Sequence, residues 1–277
     1  MSAINNQFAQ APLSDAAKAS VTGRAGVCHD PATIDSPRWR LSNHVFHCLT
    51  QDGVVLLDAK NNKYYGLDVD ASIGLSHVLH GWARIDQQFD LQRPPDTRRA
   101  AQTLTALERI GVVTNEEPSE ARLLTISVDR SQMMEAVGFG TEMDYSIRLS
   151  HLLIFLRAYA AALFSLKFRS FEAVVRSVRE RREQVALQTD VLFDAGKVVE
   201  QVSIFRRIRH YVFSGSGRCL LHALTLVNYL AAYKQFPLWV IGVTTTPWTA
   251  HSWVEQGRFL LDATPERVHA YTVILAV

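Results

Sequence analysis

Cysteine is scarce in this sequence of 277 residues, and the positions of the few cysteines limit what they can do. Cys28, Cys48 and Cys219 are the only three, and no CxxC pair occurs. An odd number at scattered positions argues against a disulfide framework and against a zinc finger. We therefore expect free thiols, a reducing environment and a cytoplasmic protein.

The sequence also has little that would direct it into a membrane. Its N-terminal stretch, MSAINNQFAQAPLSDAAKAS, lacks the basic and apolar regions of a signal peptide. The longest apolar stretch, 151–166, is shorter than the roughly 20 residues that a spanning helix needs, and it contains Arg157. This stretch predicts a buried helix of a soluble protein and no membrane span.

Length and composition together predict two domains. Hydrophobic residues make up 48% of the chain, enough for a sizeable core, and the length exceeds the roughly 100 to 200 residues of one domain. We place the domains at 37–114 and 145–277. Residues 1–36 are polar and without periodicity, which predicts a disordered lead-in, and residues 115–144 are expected to form the linker.

Short runs of β-prone residues open the first predicted domain. The runs at 44–49, 53–58 and 63–67 are separated by Gln-Asp-Gly and Lys-Asn-Asn, and they predict an antiparallel meander of three strands. Apolar residues at helical spacing then predict helices at 70–82 and 96–113, the second ending at a glycine.

The second predicted domain begins with helices and ends with strands. Residues 145–185 predict two helices, residues 198–211 predict a third, and a further helix begins near 217. The predicted strands follow at 238–243, 251–256 and 258–262. Helices and strands that are segregated along the chain indicate the α+β class.

Charge is unevenly distributed along the chain. Residues 1–147 carry 13 basic and 18 acidic side chains, a net charge of −5, whereas residues 148–218 carry 13 and 6, a net charge of +7. The basic segment is either a solvated helical surface or a surface for an anionic partner.

Cys219 stands where two Ser-Gly pairs run into an apolar stretch, SGSGRCLLHALTLVNYL. With Ser216 as the N-cap, Cys219 would be the third residue of a buried helix, near free backbone N–H groups and the positive end of the helix dipole. Both favour the thiolate, which is the nucleophilic form. The alternative is an inert cysteine, because free cysteines in apolar surroundings are usually of that kind.

A histidine and an aspartate downstream complete a catalytic pattern. The segment AHSWVEQGRFLLDA predicts a hairpin around a Gln256-Gly257 turn, and in that register His251 lies opposite Asp262. Opposed residues have Cβ atoms about 4.5 to 5.5 Å apart, within reach of an imidazole–carboxylate hydrogen bond. With Cys219 as the nucleophile, this is the triad of cysteine hydrolases and acyltransferases.

Two other arrangements of these residues remain open. His222 lies three residues after Cys219 on the same helix face and competes with His251 as the base, although no carboxylate is evident to orient it. A zinc site of Cys219, His222, His251 and Asp262 is the second, but their spacing matches no metal motif. We predict no metal and no cofactor bound by this chain.

Three blocks of the sequence resemble conserved blocks of the lasso peptide B proteins: GRCLLHALTLVNYL, LWVIGVTTTPWTAHSWVE and GRFLLDATPERVHAYTVI. These proteins are transglutaminase-like cysteine proteases that remove the leader from a lasso peptide precursor. The resemblance implies a transglutaminase-like, papain-like protease domain with Cys219 as nucleophile, His251 as base and Asp262 as orienting carboxylate.

The segment GVVLLDAKNNKYYGLD resembles a second module, the PqqD-like leader-recognition element, which is a small winged helix-turn-helix. The resemblance implies that a leader peptide adds as a strand to the third strand and packs against the last helix. The alternative is that the apolar side chains of this strand only fill the domain core. The implied peptide-binding residues are Lys63, Tyr64, Tyr65, Gly66, Leu67, Leu104 and Leu107.

The resemblance as a whole implies a leader peptidase that works with an asparagine synthetase-like cyclase, the partner that uses ATP to close a macrolactam. The absence of a GxxxxGK[ST] motif agrees with ATP chemistry on that partner. Winged helices also bind DNA, but the acidic balance of residues 1–147 argues against a nucleic-acid partner. Two alternatives are a cysteine acyltransferase of the transglutaminase or arylamine acetyltransferase type, and a leader-binding scaffold without catalysis.

Overall fold

The computed structural model of the chain describes residues 39–80, 82, 96–116, 125–126, 135–137, 145–186, 194–212 and 218–277. These residues form two compact units, one ending and the other beginning between residues 116 and 125. The predicted lead-in, 1–36, lies outside the described residues.

The first unit contains the predicted meander. Strands β2 (Val45–Thr50), β3 (Gly53–Asp58) and β4 (Lys63–Leu67) form an antiparallel sheet in that order. Turn chemistry fixes these bounds: Asn62, in the loop before β4, has φ 54°, a left-handed conformation that asparagine adopts more readily than most residues. The prediction of the three strands is confirmed to within one residue at each end.

The described part of this unit also contains two helices and a second small sheet. Helix α1 (Val69–Ser76) is capped by Asp68, and α2 (Thr97–Arg109) is capped by Asp96. The prediction for α1 was six residues too long, because the chain leaves the helix to form β5 (Leu79–His80). In the second sheet β1 (Trp39–Leu41) lies between β5 and β6 (Val113–Thr114).

A single hydrophobic core joins the sheets and helices of the first unit. Leu56, Leu75 and Leu107 are fully buried in it, one from the meander and one from each helix. The two helices approach closely at Gly74, where an added Cβ would lie 2.5 Å from the Cβ of Ala100. The winged helix-turn-helix assignment of this unit stays a prediction.

Four long helices lie in the described part of the second unit, and the last of them is the most buried. These are α3 (Leu149–Phe168), α4 (Phe171–Ala186), α5 (Ala195–Val212) and α6 (Cys219–Ala231). Eight of the 13 residues of α6 are buried, so the prediction of a central, buried helix is confirmed. Phe155 of α3 contacts the rings of Phe205 on α5 and Tyr229 on α6, at centroid distances of 5.2 and 6.4 Å.

Helix α3 is less buried than its sequence predicted. Only His151, Phe155, Ala158 and Ala162 are buried, and they form one face of the helix. By length and composition alone, α3 is the one helix among the described residues that is long and apolar enough to cross a membrane, and 22% of its apolar window is buried. The prediction of a buried helix therefore holds for one face and is wrong for the other.

Among the described residues of the second unit, five strands form a sheet in the order β11-β8-β9-β10-β7. They are β7 (Glu135–Ala136), β8 (Leu238–Thr245), β9 (Trp248–Gln256), β10 (Phe259–Leu260) and β11 (Thr272–Ala276), with a short helix α7 (Pro265–Val268) before the last. Residues 125–126 and 135–137, predicted as linker, belong to this unit. Ile126 N–H donates to the carbonyl of Ala276, and β7 pairs with β10.

Candidate active site

Cys219 is the first residue of α6. The N-cap position is Arg218, whose side chain makes no capping hydrogen bond, and the first helical hydrogen bond runs from His222 N–H to the Arg218 carbonyl at 2.9 Å. The predicted position of Cys219, third in a helix capped by Ser216, is therefore wrong by two residues. Ser216 itself lies outside the described residues.

The register of the hairpin formed by β9 and β10 differs from the predicted one. Gln256 pairs with Phe259 and Glu255 with Leu260, so the turn is Gly257-Arg258. Gly257 has φ 56° and occupies the first turn position, where two-residue hairpin loops of type II′ place glycine. The predicted register put this glycine second, and its pairing of His251 opposite Asp262 is wrong.

The side chain of Asp262 instead bonds to the backbone of β9, on the side of β9 that faces β10. Its Oδ1 accepts a hydrogen bond of 2.8 Å from Val254 N–H. The Val254 carbonyl accepts from Leu261 N–H at 2.9 Å, so both polar backbone groups of Val254 point to the β10 side. Because backbone direction alternates along a strand, Ser252 N–H points to the same side.

The sulfur of Cys219 lies at the N–H of Ser252, the next backbone group along this edge of β9. The backbone N–H groups of Ser252 and Leu220 both interact with its sulfur. Ser252 and Val254 are two residues apart, which corresponds to about 7 Å along a strand. The structure therefore brings Cys219 and Asp262 to one edge of β9, with His251 adjacent in sequence to the residue that contacts the sulfur.

His251 is held by aromatic rings. Its imidazole is buried. The ring centroid lies 6.0 Å from that of Trp253, with the two rings nearly parallel, and 5.4 Å from that of Tyr271. Across the part of the chain that the structure describes, no hydrogen bond joins His251 to Asp262. Trp253 was recoverable from the sequence, since it lies two residues further on the same strand face, whereas Tyr271 gave no local signal.

Gly242 makes room for this aromatic packing. It pairs with His251 across the sheet, and an added Cβ would lie 2.7 Å from Cη2 of Trp253 and 2.9 Å from Cβ of Tyr271. Gly242→Ala is expected to lower the free energy of unfolding by about 1 to 3 kcal/mol, because the ring of Trp253 and the Cβ of Tyr271 must both move. Urea denaturation measures this loss.

The matched control for that substitution is Gly66→Ala, in the other unit. Nothing lies within 4 Å of a Cβ added at Gly66, so its urea midpoint should not fall. Equal midpoints for the Gly242 variant and the unmodified chain would contradict the tight packing around His251.

Burial dominates the electrostatics of Cys219 and His251. It raises the pKa of the Cys219 thiol, although the N–H groups of Ser252 and Leu220 and the charge of Arg267 act in the opposite direction. Burial, helped by Arg267, lowers the pKa of His251 to about 4. The predicted effect of the helix N-terminus on the thiol is present but smaller than the effect of burial, so the Cys219 thiol and the His251 imidazole are both neutral at neutral pH.

Asp262 is shifted in the opposite sense to His251. Burial raises the pKa of its carboxyl to about 6, against the Val254 N–H and the charges of Arg209 and Arg206. The carboxylate form therefore prevails only above about pH 6.

His222, the competing base, lies on α6 beyond Cys219. Burial, followed by the charges of Arg209, Arg218 and Arg267, lowers its pKa to about 4. Within the described ranges, no group of three or more His, Cys, Asp and Glu side chains is arranged to hold a metal ion. The zinc alternative has no support in this part of the chain.

The predicted peptide-binding residues lie in the first unit, on or behind an edge strand. Lys63 and Gly66 of β4 are exposed, whereas Tyr64 and Tyr65 are 7% and 8% exposed. Leu67 and Leu107 are buried in the core, and Leu104 packs against it from a partly exposed position. A peptide at this edge therefore meets the backbone of β4 before it meets Tyr65 or Leu107, and the role of these residues stays a prediction.

Comparison with known proteins assigns part of the second unit to a family. No curated protein and no solved structure matches the chain. Residues 155–276 match the family model described as the transglutaminase-like superfamily, a range that includes Cys219, His251 and Asp262. Enzymes of this superfamily commonly use cysteine-based catalysis. Residues 155–276 of this chain therefore form a transglutaminase-like superfamily domain.

Proposed function

We propose that this chain is a cysteine peptidase that cleaves the leader from a ribosomally made precursor, as lasso peptide B proteins do. One observation carries the catalytic half of the proposal. The sulfur of Cys219, at the start of a buried helix, contacts the N–H of Ser252, the neighbour of His251 on β9. The transglutaminase-like domain fits peptidase or acyltransferase chemistry of this type.

The reaction starts from neutral groups. His251 takes the thiol proton as the sulfur attacks the scissile carbonyl, and the resulting imidazolium gives that proton to the leaving amine. Water then hydrolyses the thioester and restores the thiol. Asp262 in its ionised form stabilises the imidazolium through its negative charge.

The backbone at the start of α6 supplies a donor for the oxyanion. The first helical hydrogen bond uses His222 N–H, so the N–H of Cys219 has no acceptor within the helix. In the proposed reaction it donates to the oxyanion that forms when the sulfur adds to the carbonyl.

The edge of β4 supports the leader-binding half of the proposal. Thr50 and Gly53 flank a two-residue loop, and such flanking residues exchange backbone hydrogen bonds. Alternation along β3 and β4 then turns the N–H groups of Tyr64 and Gly66 away from β3, toward the outer edge. An extended leader would pair with these groups as a further strand.

Gly66→Pro tests this edge directly. Proline removes an outward N–H and obstructs an added strand, while the ladder to β3 does not use that group. The dissociation constant for the leader peptide is expected to rise about tenfold or more, measured by fluorescence anisotropy.

Gly66→Ala is the matched control for that variant, because its side chain has open space and its N–H is retained. If Gly66→Pro binds the leader as tightly as Gly66→Ala does, the strand-addition surface is not at β4.

A mass-resolved assay tests the proposed function itself. The purified chain is incubated with a leader-bearing precursor, with and without an asparagine synthetase-like cyclase and ATP, in the presence of a small primary amine. Free leader acid and core peptide indicate hydrolysis. A leader–amine conjugate instead establishes an acyltransferase, and binding without any mass change, in either condition, establishes a scaffold.

A further inference from the structure

The outer face of α3 is apolar and open to solvent. This face consists of Leu149, Leu152, Leu153, Leu156, Phe164 and Phe168. Leu149 is 71% exposed and Phe168 is 64% exposed, values that are unusual for a contiguous set of large apolar side chains. At 1.5 Å per residue, a helix of 20 residues carries this face along about 30 Å.

The opposite face fixes the helix to the fold. Phe155, Ala158 and Ala162 are buried there, and the ring of Phe155 packs on Phe205 and Tyr229. Helix α3 is therefore not free to leave the domain and cross a membrane, and Arg157 stands near its middle. A helix that stays packed on its domain and exposes an apolar face can lie flat on another surface.

The charged residues of α3 and of the few residues next to it are all of one sign. From 145 to 171 the chain has no acidic residue, and its four charged side chains are Arg148, Arg157, Lys167 and Arg169, all exposed. The ammonium group of Lys167 lies 5.2 Å from the ring centroid of Phe168, at the end of the apolar face. Long basic side chains beside Leu and Phe are typical of helices in the interface of an anionic membrane.

We propose that the outer face of α3 docks on the surface of an anionic lipid bilayer, with the helix in the plane of the membrane. Leucine supplies most of the face, and leucine is under-represented among the residues that dominate protein–protein binding energy, which favours lipid over a protein partner. The four cations complement anionic headgroups. Docking brings the domain that contains Cys219 to the membrane surface and does not depend on the proposed peptidase activity.

Vesicle co-sedimentation of the full chain tests this docking. Binding is measured to vesicles of equimolar phosphatidylglycerol and phosphatidylcholine, and to vesicles of phosphatidylcholine alone. The unmodified chain should bind the anionic vesicles, with an affinity that falls as salt is added. Replacing Leu149, Leu153, Phe164 and Phe168 together with glutamine should lower the partition coefficient at least about tenfold. Arg157→Gln with Lys167→Gln should lower it about fivefold for each charge removed.

A matched control carries glutamine at exposed apolar positions elsewhere, namely Val78, Ile110 and Tyr211, and it should bind vesicles as the unmodified chain does. Circular dichroism melting of every variant shows whether the fold is retained; if the fourfold variant unfolds, the charge variant alone provides the test. The proposal is overturned if the unmodified chain does not bind anionic vesicles or binds both vesicle types equally. A dimer that the fourfold variant abolishes, without vesicle binding, also overturns it and assigns the face to a second copy.

Discussion

Cys219→Ala is expected to abolish precursor cleavage, with kcat reduced by at least about 10⁴-fold, while leader binding is unchanged. The loss is large because the sulfur is the atom that forms the covalent bond, and neither His251 nor the helix N-terminus replaces it. Single-turnover cleavage of the precursor, followed by mass spectrometry, measures the rate. Fluorescence anisotropy with the leader peptide measures binding in the other unit.

Cys48→Ala is the matched control for the nucleophile. Cys48 is 6% exposed in the core of the first unit, and burial raises the pKa of its thiol to about 12, so it takes no part in nucleophilic chemistry. This variant should cleave the precursor at the rate of the unmodified chain. Leader release by the Cys219 variant at more than a hundredth of the normal rate would show that another group attacks the peptide.

Local signals in the sequence were sufficient for the meander and for α6. Three short runs of β-prone residues and two polar turns defined the strands, and Asn62 adopts the left-handed conformation that its turn requires. The continuous apolar surface of α6 indicated a buried helix, and the structure buries it. In each instance the information lies within a window of a few residues, so no distant contact had to be known.

The register of the hairpin formed by β9 and β10 was predicted wrongly, because the turn was placed one residue too early. The residues Gln256-Gly257 and Gly257-Arg258 are both acceptable two-residue turns by composition, and the position of the glycine within the turn decides between them. A shift of one turn position moved Asp262 from a place opposite His251 to the N–H of Val254. The residues proposed for catalysis remained the same, but the argument that paired them did not hold.

Contacts between distant segments were not predictable from the sequence alone. β7 pairs with β10 from more than 100 residues away, and Tyr271 reaches His251 from the segment before β11. The burial of α3 belongs to the same class. Its composition indicated a helix that avoids water, whereas only the packing of Phe155 shows which face the domain covers.

The acid limb of the pH–rate profile is expected to report Asp262. Its carboxyl has a pKa of about 6, whereas His251 has a pKa of about 4 and is already neutral when Asp262 loses its proton. As pH falls through 6, Asp262 becomes neutral and no longer stabilises the imidazolium that forms during attack. kcat/KM should therefore fall tenfold per pH unit below about 6.

Asp262→Asn is expected to lower kcat by about 10²-fold, the size expected for loss of one nearby charge without a hydrogen bond to the base, and to remove this limb. The amide keeps the shape of the side chain, and its carbonyl oxygen still accepts from Val254 N–H, so the edge of β9 keeps its hydrogen bond. What is lost is the negative charge at the edge of β9 that Asp262 shares with Cys219. Stopped assays of the remaining cleavage between pH 4 and 9 measure the profile.

The pH at which the rate of the asparagine variant falls shows whether Asp262 or His251 is the group that titrates. If the inflection near pH 6 persists in the asparagine variant, the titrating group is not Asp262. His251 would then have to titrate close to its usual pKa. Its burial against Trp253 and Tyr271 opposes such a value. If the inflection moves to about pH 4, the rate follows the imidazole alone, as expected for a base that starts neutral. A carboxylate without a hydrogen bond to the base would then act through its charge, from its place on the edge that it shares with Cys219.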